Sequence, residues 1–223
     1  MQGKHELCAI LVFSDRANAT ILQIDFSEAL KVEGVVGCIS AQDISKEQNG
    51  WGTLVQDEPI FATGSVLHHG QVIAAIICSS VESGRVARSV VNVIYENSSR
   101  SDDSDCVYGL GDVLAKSGIS ALENMPNYGG PQHLRRYLDD DDVDKQQLIV
   151  EGTIDIGGQQ HSYLEPHNVL VVPIGEKNEF TVYTGCQMPD HVQGSLARVL
   201  NIPKNKITIK TKRTGGAFGG KER

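Results

Sequence analysis

The apolar pattern predicts an α/β fold, in the looser α+β sense, with two folded parts joined by an acidic connector. Three observations carry this. Apolar runs of strand length recur along the chain, and segments with helical spacing at 80–90 and 190–200 lie between some of them. Residues 97–147 interrupt that pattern with polar, acidic sequence poor in hydrophobes, including "NSSRSDDSD" and "LDDDDVDKQQ". The boundaries that follow are 1–96, 97–147 and 148–223. With 40% hydrophobic residues over 223 positions, the chain has enough apolar side chains to bury a core.

In order, residues 6–14 ("ELCAILVFS") form an apolar run, and 19–26 ("ATILQIDF") alternate as a strand does. Asp25 and Glu28 then set a D-x-x-E cap pattern for a short helix over Ser27–Glu33, closed by Gly34 in the left-handed conformation. A strand follows at 35–44. Residues 45–65, rich in Gly, Asn and polar groups, read as loop. The run "QVIAAIIC" at 71–78 is the most apolar in the chain and predicts a central strand buried on both faces. Ser80 is placed to cap a helix over 80–90, and the β-branched run at 90–96 predicts a strand. Within 97–147 a short helix is expected at 111–117. Strands are expected again at 148–158, 168–174 and 179–185. A helix at 190–200 aligns Val192, Leu196, Val199 and Leu200 on one face, and a strand follows at 206–213. No internal repeat is present.

Net charge is −8, which removes the electrostatic basis for binding nucleic acid or an acidic membrane. Lys204, Lys206, Lys210, Lys212 and Arg213 do cluster near the C-terminal glycines. Five widely spaced cysteines make no CxxC pair. Cys8, Cys38 and Cys78 sit in apolar runs and read as buried free thiols, in keeping with a reducing compartment. The apolar stretch near the N-terminus is too short to span a membrane and has no small-residue cleavage site, so the cytoplasm is the expected location.

Three motifs carry chemistry. From Asp140 the acidic run places acids at calcium-loop positions 1, 3, 5 and 12, but Lys145 stands where the sharp turn needs glycine, and a solvated linker is the preferred reading. In "HSYLEPH" (161–167), an extended strand would put His161, Tyr163, Glu165 and His167 on one face, a conceivable zinc set. Pro166 breaks that regularity, and a turn into a pocket wall is preferred. The strongest signal is "TGGAFGGKER" (214–223). Gly215, Gly220 and Lys221 fit a phosphate-cradling G-x-x-x-x-G-K, but Glu222 stands where a P-loop needs Ser or Thr. Phe218 suits a wall against a flat molecule better than a triphosphate cradle. A purely structural glycine turn is the remaining alternative.

Together these residues resemble the molybdenum hydroxylases, the xanthine dehydrogenase and aldehyde oxidase family. "TGGAFGGKE" resembles its molybdenum-cofactor loop, "GGQQHSYLEPH" (157–167) its G-G-Q-E-H-x-Y-L-E segment, and "TGCQMPDHVQGSLARVLNIP" (184–203) its T-Q-x-P-x-x-x-Q helix. Residues 25–44 and 70–96 resemble the α/β hammerhead domain that precedes the cofactor domain. Gln160 and Cys186 depart from the family's usual Glu and Thr.

The resemblance implies a hammerhead domain followed by the first part of a molybdopterin-binding domain, and a molybdenum–molybdopterin cofactor held by Gln159, Gly216, Phe218 and Gly219. No metal ligand comes directly from the protein. Phe218 and Glu222 would contact a purine or aldehyde substrate. Glu222 is xanthine dehydrogenase-like, because aldehyde oxidases usually place an apolar residue there, whereas Ala217 is aldehyde oxidase-like. Iron–sulfur clusters, FAD and a homodimer belong to the full-length family member. No catalytic residue is assigned here, because the general base is expected beyond Arg223. The chain is accordingly expected to be a fragment, inactive alone, and the competing reading is a non-catalytic remnant that binds a protein partner.

Overall fold

A computed structural model describes residues 5–52, 56–96, 157–175 and 178–222. The described residues up to Glu96 and from Gln159 onward belong to one compact unit. The acidic run, the helix expected at 111–117 and most of the strand expected at 148–158 lie outside the described residues. Gly157 and Gly158 are described and are not in a strand.

The first region begins with strands β1 (Cys8–Phe13), β2 (Ala19–Asp25) and β3 (Val35–Ser40). The pairs β4 (Gly50–Trp51), β5 (Glu58–Pro59) and β6 (Ser65–Val66) follow, then β7 (Val72–Cys78), helix α1 (Val81–Ser89) and β8 (Asn92–Tyr95). As its apolar run predicts, β7 is central, between β1 and β3, and it pairs antiparallel with both. A second sheet has the order β6–β2–β8. Val12, Ala19, Val66, Ile73 and Ile76 from these strands, with Ala87 of α1, form the buried core. Cys78 is buried, Cys8 and Cys38 are half-buried, and Cys38 and Cys78 are free thiols. Burial pushes the Cys78 and Cys38 thiols above their ordinary value.

Ser80 caps α1, its hydroxyl accepting from the Ser83 amide at 3.1 Å. Gly84 in mid-helix lets α1 lie against β1 and β7, since a Cβ there would stand 2.6 Å from Cys78 Sγ and collide with Ile10. The expected helix over Ser27–Glu33 shrinks to a single 3₁₀ turn, Ala29–Lys31. Asp25 accepts from the Ser27 amide at 2.9 Å, a turn of its own, and Gly34 closes the segment at φ +89°. Too few residues lie between these two stops to repay helix nucleation. Among its described residues, the loop expected at 45–65 contains the two-residue strands β4 and β5 and the first residue of β6. Buried Asn49 organises it, donating to Phe61 O at 2.8 Å and accepting from Phe61 N at 2.9 Å.

The second region comprises β9 (Val169–Ile174), β10 (Glu179–Thr184), helix α2 (Pro189–Leu200) and β11 (Ile207–Lys210). Strand β10 pairs antiparallel with β9 and parallel with β11, and α2 makes the crossover that the parallel pair requires. The core is small: Val182, Ala197 and Ile207, with Leu196, Ile202 and Ile209 against it. The face expected for α2 is displaced, because Ser195 and Ala197 are its buried residues and Leu200 is exposed. The helix touches structure on more than one side. Gln193 Nε2 donates to Ile207 O at 2.7 Å, while Val199 O accepts from Gln48 at 2.7 Å and Arg198 donates to Gly50 O at 3.2 Å. Asn201, left-handed at φ 52°, ends the helix. No helix among the described residues is long and apolar enough to cross a membrane.

Candidate functional site

The chain leaves β11 through Thr211 and enters the glycine loop. Gly215, Gly216 and Gly219 have φ of +67°, +86° and +90°, conformations open to glycine and costly for other residues. Side chains at two of the glycines would strike the 161–165 segment: a Cβ at Gly215 collides with Glu165, and one at Gly220 would stand 2.6 Å from the Tyr163 ring. Loop and segment therefore pack backbone to side chain, and the Glu165 amide donates to Gly215 O at 3.1 Å.

Phe218 is also left-handed, at φ 52°, and is 75% exposed. A bulky residue held in that region signals a conformation imposed by its surroundings. The imposition is visible on both sides. Gly220 N donates to Ala217 O at 2.8 Å, and Gln187 Oε1 accepts from Gly219 N at 3.1 Å and Lys221 N at 3.2 Å. Gln187 N donates in turn to Lys221 O at 3.0 Å.

Lys221 is 3% exposed. Its ammonium donates to Glu165 O at 2.7 Å and to Thr214 O, and lies 4.9 Å from the centroid of the Tyr163 ring. Two carbonyls and a π face meet the needs of a buried cation. This overturns the phosphate-cradle reading, because the lysine that would reach a phosphate holds the loop to residues 163–165 instead. The zinc reading of 161–167 falls as well. The segment is irregular, with Ser162 at φ 47°, and Tyr163 stands against both His161 and His167, at centroid distances of 6.3 and 5.2 Å. Among the described residues no group of three or more His, Cys, Asp or Glu is placed to hold a metal ion.

Of the residues singled out in the sequence, Gly216, Phe218, Gly219 and Glu222 lie on this one loop, and Gln187 contacts its last residues, Gly219, Lys221 and Glu222. Gln187 Nε2 faces Glu222 Oε1 at 3.4 Å. Gln159 is exposed, two residues before His161, whose ring approaches the loop at Gly219 and Gly220. Sequence reasoning gave no position-holding role to Gln187 or Lys221. The only signal for either was its place in a motif. A separate open groove of about 430 Å³ crosses β9, β10 and β11 beside Lys210, Lys212 and Arg213, and neither Phe218 nor Glu222 lines it.

The exposed Phe218 ring is followed by a glycine with open space beside its backbone: a Cβ at Gly219 would meet only His161 Nε2, at 3.9 Å, room in which a flat, polar-edged group can approach.

Comparison with known proteins decides the family. Residues 1–99 match the a/b hammerhead domain of aldehyde oxidase and xanthine dehydrogenase, and residues 131–223 match the molybdopterin cofactor-binding domain. The chain belongs to the aldehyde oxidase and xanthine dehydrogenase family. Among its relatives, nicotinate hydroxylase of Emericella nidulans is 34% identical over 97% of the chain and 15% of that protein. Aldehyde oxidase 2 of Cavia porcellus is 36% identical over 97% of the chain and 15% of that protein. The chain thus spans about 15% of the length of these relatives. The fold is shared with quinoline 2-oxidoreductase from Pseudomonas putida 86, with a TM-score of 0.73 and 19% identity over 99% of this chain and 28% of that one. It is shared too with aldehyde oxidoreductase from Desulfovibrio gigas, with a TM-score of 0.69 and 22% identity over 96% and 24%. Within the family, the first region here is the hammerhead domain, and the second is part of the molybdopterin-binding domain.

Proposed function

We propose that this chain supplies cofactor and substrate contacts to a molybdenum hydroxylase that oxidises purines, such as xanthine or hypoxanthine, or aldehydes. The observation that carries the reading is one loop presenting an exposed Phe218 and, four residues on, the Glu222 carboxylate, with Gln187 bonded to Gly219 N and facing Glu222. When bound, the molybdenum–molybdopterin group supplies the two-electron redox chemistry of hydroxylation. The residues that would hold it are Gln159, Gly216, Phe218 and Gly219. Phe218 offers a ring face for a planar substrate to stack on. Glu222 offers a carboxylate that accepts from ring N–H groups, which purines have and simple aldehydes lack. That difference favours the purine reading. The nicotinate hydroxylase relative supports a heterocycle, and the aldehyde oxidase relatives support the aldehyde alternative.

These residues hold and orient, and none of them is placed as a general base. We therefore expect the isolated 223-residue chain not to turn over xanthine or an aldehyde, the base coming from elsewhere in a protein of its relatives' length. We place that protein in the cytoplasm, as a homodimer with iron–sulfur clusters and FAD, and draw the domain boundaries near residues 96 and 148. Glu222→Val in the complete protein tests the substrate reading. Purine kcat/KM should fall by about 10–100-fold, the effect of one substrate-binding carboxylate, with aldehyde oxidation changed less than about threefold. Equal loss of both removes the role given to Glu222.

A further inference from the structure

Strands β10 and β11 run parallel and stop side by side, at Thr184 and Lys210. One exit leads toward α2 and the other into the glycine loop, so whatever joins the two exits sets where the loop begins. Side chains from both exits meet there. Thr211 Oγ1 donates to Thr184 O at 3.0 Å. Cys186 Sγ lies 3.2 Å from Thr211 Oγ1, and Cys186 is only 7% exposed. Thr184 Oγ1 donates to Asn168 O at 2.9 Å, which ties in the residue before β9. Gly185 makes the close approach feasible. A Cβ there would stand 3.2 Å from Arg213 O and 3.5 Å from Thr214 O, the carbonyls at which the loop starts. Thr214 O also accepts from the Lys221 ammonium.

The polarity of these bonds is forced. A hydroxyl has one proton and two lone pairs. Thr211 gives its proton to the Thr184 carbonyl, which has none to return. The Cys186 thiol is therefore the donor to Thr211, and the series runs from Cys186 S–H through the Thr211 hydroxyl to Thr184 O, each bond polarising the next. The pair is particular to this chain, in which Cys186 departs from the family's usual Thr. We propose that Cys186 and Thr211 are positioning residues that clasp the base of the glycine loop to the end of β10, with the buried thiol as donor. The inference rests on the cofactor reading above only for what the loop holds.

The test uses the complete protein that carries this chain and has two readouts. The first is the infrared S–H stretch of Cys186, taken as the parent spectrum minus that of Cys186→Ser. Donation weakens the S–H bond, so the band should lie below that of a thiol without an acceptor, and it should move up to that position in Thr211→Val. A band already at the upper position in the parent overturns the proposal. The second is hydrogen exchange at Glu165 N, which donates to Gly215 O at the loop's base. Cys186→Ala removes the donor and should speed this exchange at least about fivefold, whereas Cys186→Ser restores a donor and should stay within about twofold of the parent. Thr211→Val should speed it about tenfold, and adding Cys186→Ala to that variant should change it less than about twofold, because the thiol acts through Thr211. Equal acceleration in Cys186→Ala and Cys186→Ser, or a full further acceleration in the double variant, also overturns the proposal. Should Thr211→Val fail to accumulate, the parent band and the two Cys186 variants still decide. A parent protein without molybdenum would remove the cofactor reading, while both readouts would still report on the clasp.

Discussion

The hammerhead region and the cofactor-domain region are held together by different forces. In the first, β7 is flanked on both edges, and Ile73, Ala74, Ile76 and Cys78 along it are fully buried. In the second, Val182, Ala197 and Ile207 form the buried core among the described residues, and every residue of β9 is exposed, Val169 at 64%. What the second region lacks in apolar burial it makes up with polar staples: Lys221 to Glu165 and Thr214, Gln187 to Gly219 and Lys221. Hydrophobic burial is non-directional and tolerates small shifts, whereas hydrogen bonds fix positions. The loop that carries Phe218 and Glu222, the residues proposed above to contact cofactor and substrate, is held by the second means.

The comparison can be broken in four places. Ile76→Ala opens a cavity in the hammerhead core and should cost about 2–5 kcal/mol, read as a lower Tm for that region. A cost below about 1 kcal/mol would mean the core is not tightly packed. Lys221→Met leaves two carbonyls without their donor and should cost about 1–3 kcal/mol, with faster exchange over residues 214–222 and little change in β7. If β7 exchange rises equally, the two regions are one cooperative unit. Ser80→Ala removes the α1 cap and should cost about 1 kcal/mol in denaturant melts. Val171→Thr, on exposed β9, should change stability by less than about 0.5 kcal/mol. A clearly larger loss would show that β9 is covered in the complete protein.

Much of the fold was legible. Ser80 capped α1 where its position indicated, and β7 was central because its apolar run has no polar face. The β10–α2–β11 unit followed from one helical and two alternating patterns. What was not legible depended on tertiary contacts. The pairings of β4, β5 and β6 are two residues long and are organised by Asn49 bonding across twelve positions to Phe61. The buried face of α2 could not be read as one stripe, because Gln48 and Gly50 engage its last turn. At the site, the glycines and Phe218 stood out through composition alone. Lys221 did not, since its burial comes from carbonyls 7 and 56 positions away in sequence. A lysine beside glycines reads as a phosphate ligand until those carbonyls are seen.

The central claim is that the loop from Gly215 to Glu222 holds a molybdopterin group. Its most direct test is the molybdenum content of the complete protein carrying this chain, measured beside Gly219→Val. Valine at φ +90° is strained and covers the open backbone next to Phe218, while the hammerhead core lies in the other region. The account predicts about one molybdenum per protomer in the parent and a large loss in the variant, with the hammerhead Tm unchanged. Full molybdenum in Gly219→Val would contradict it.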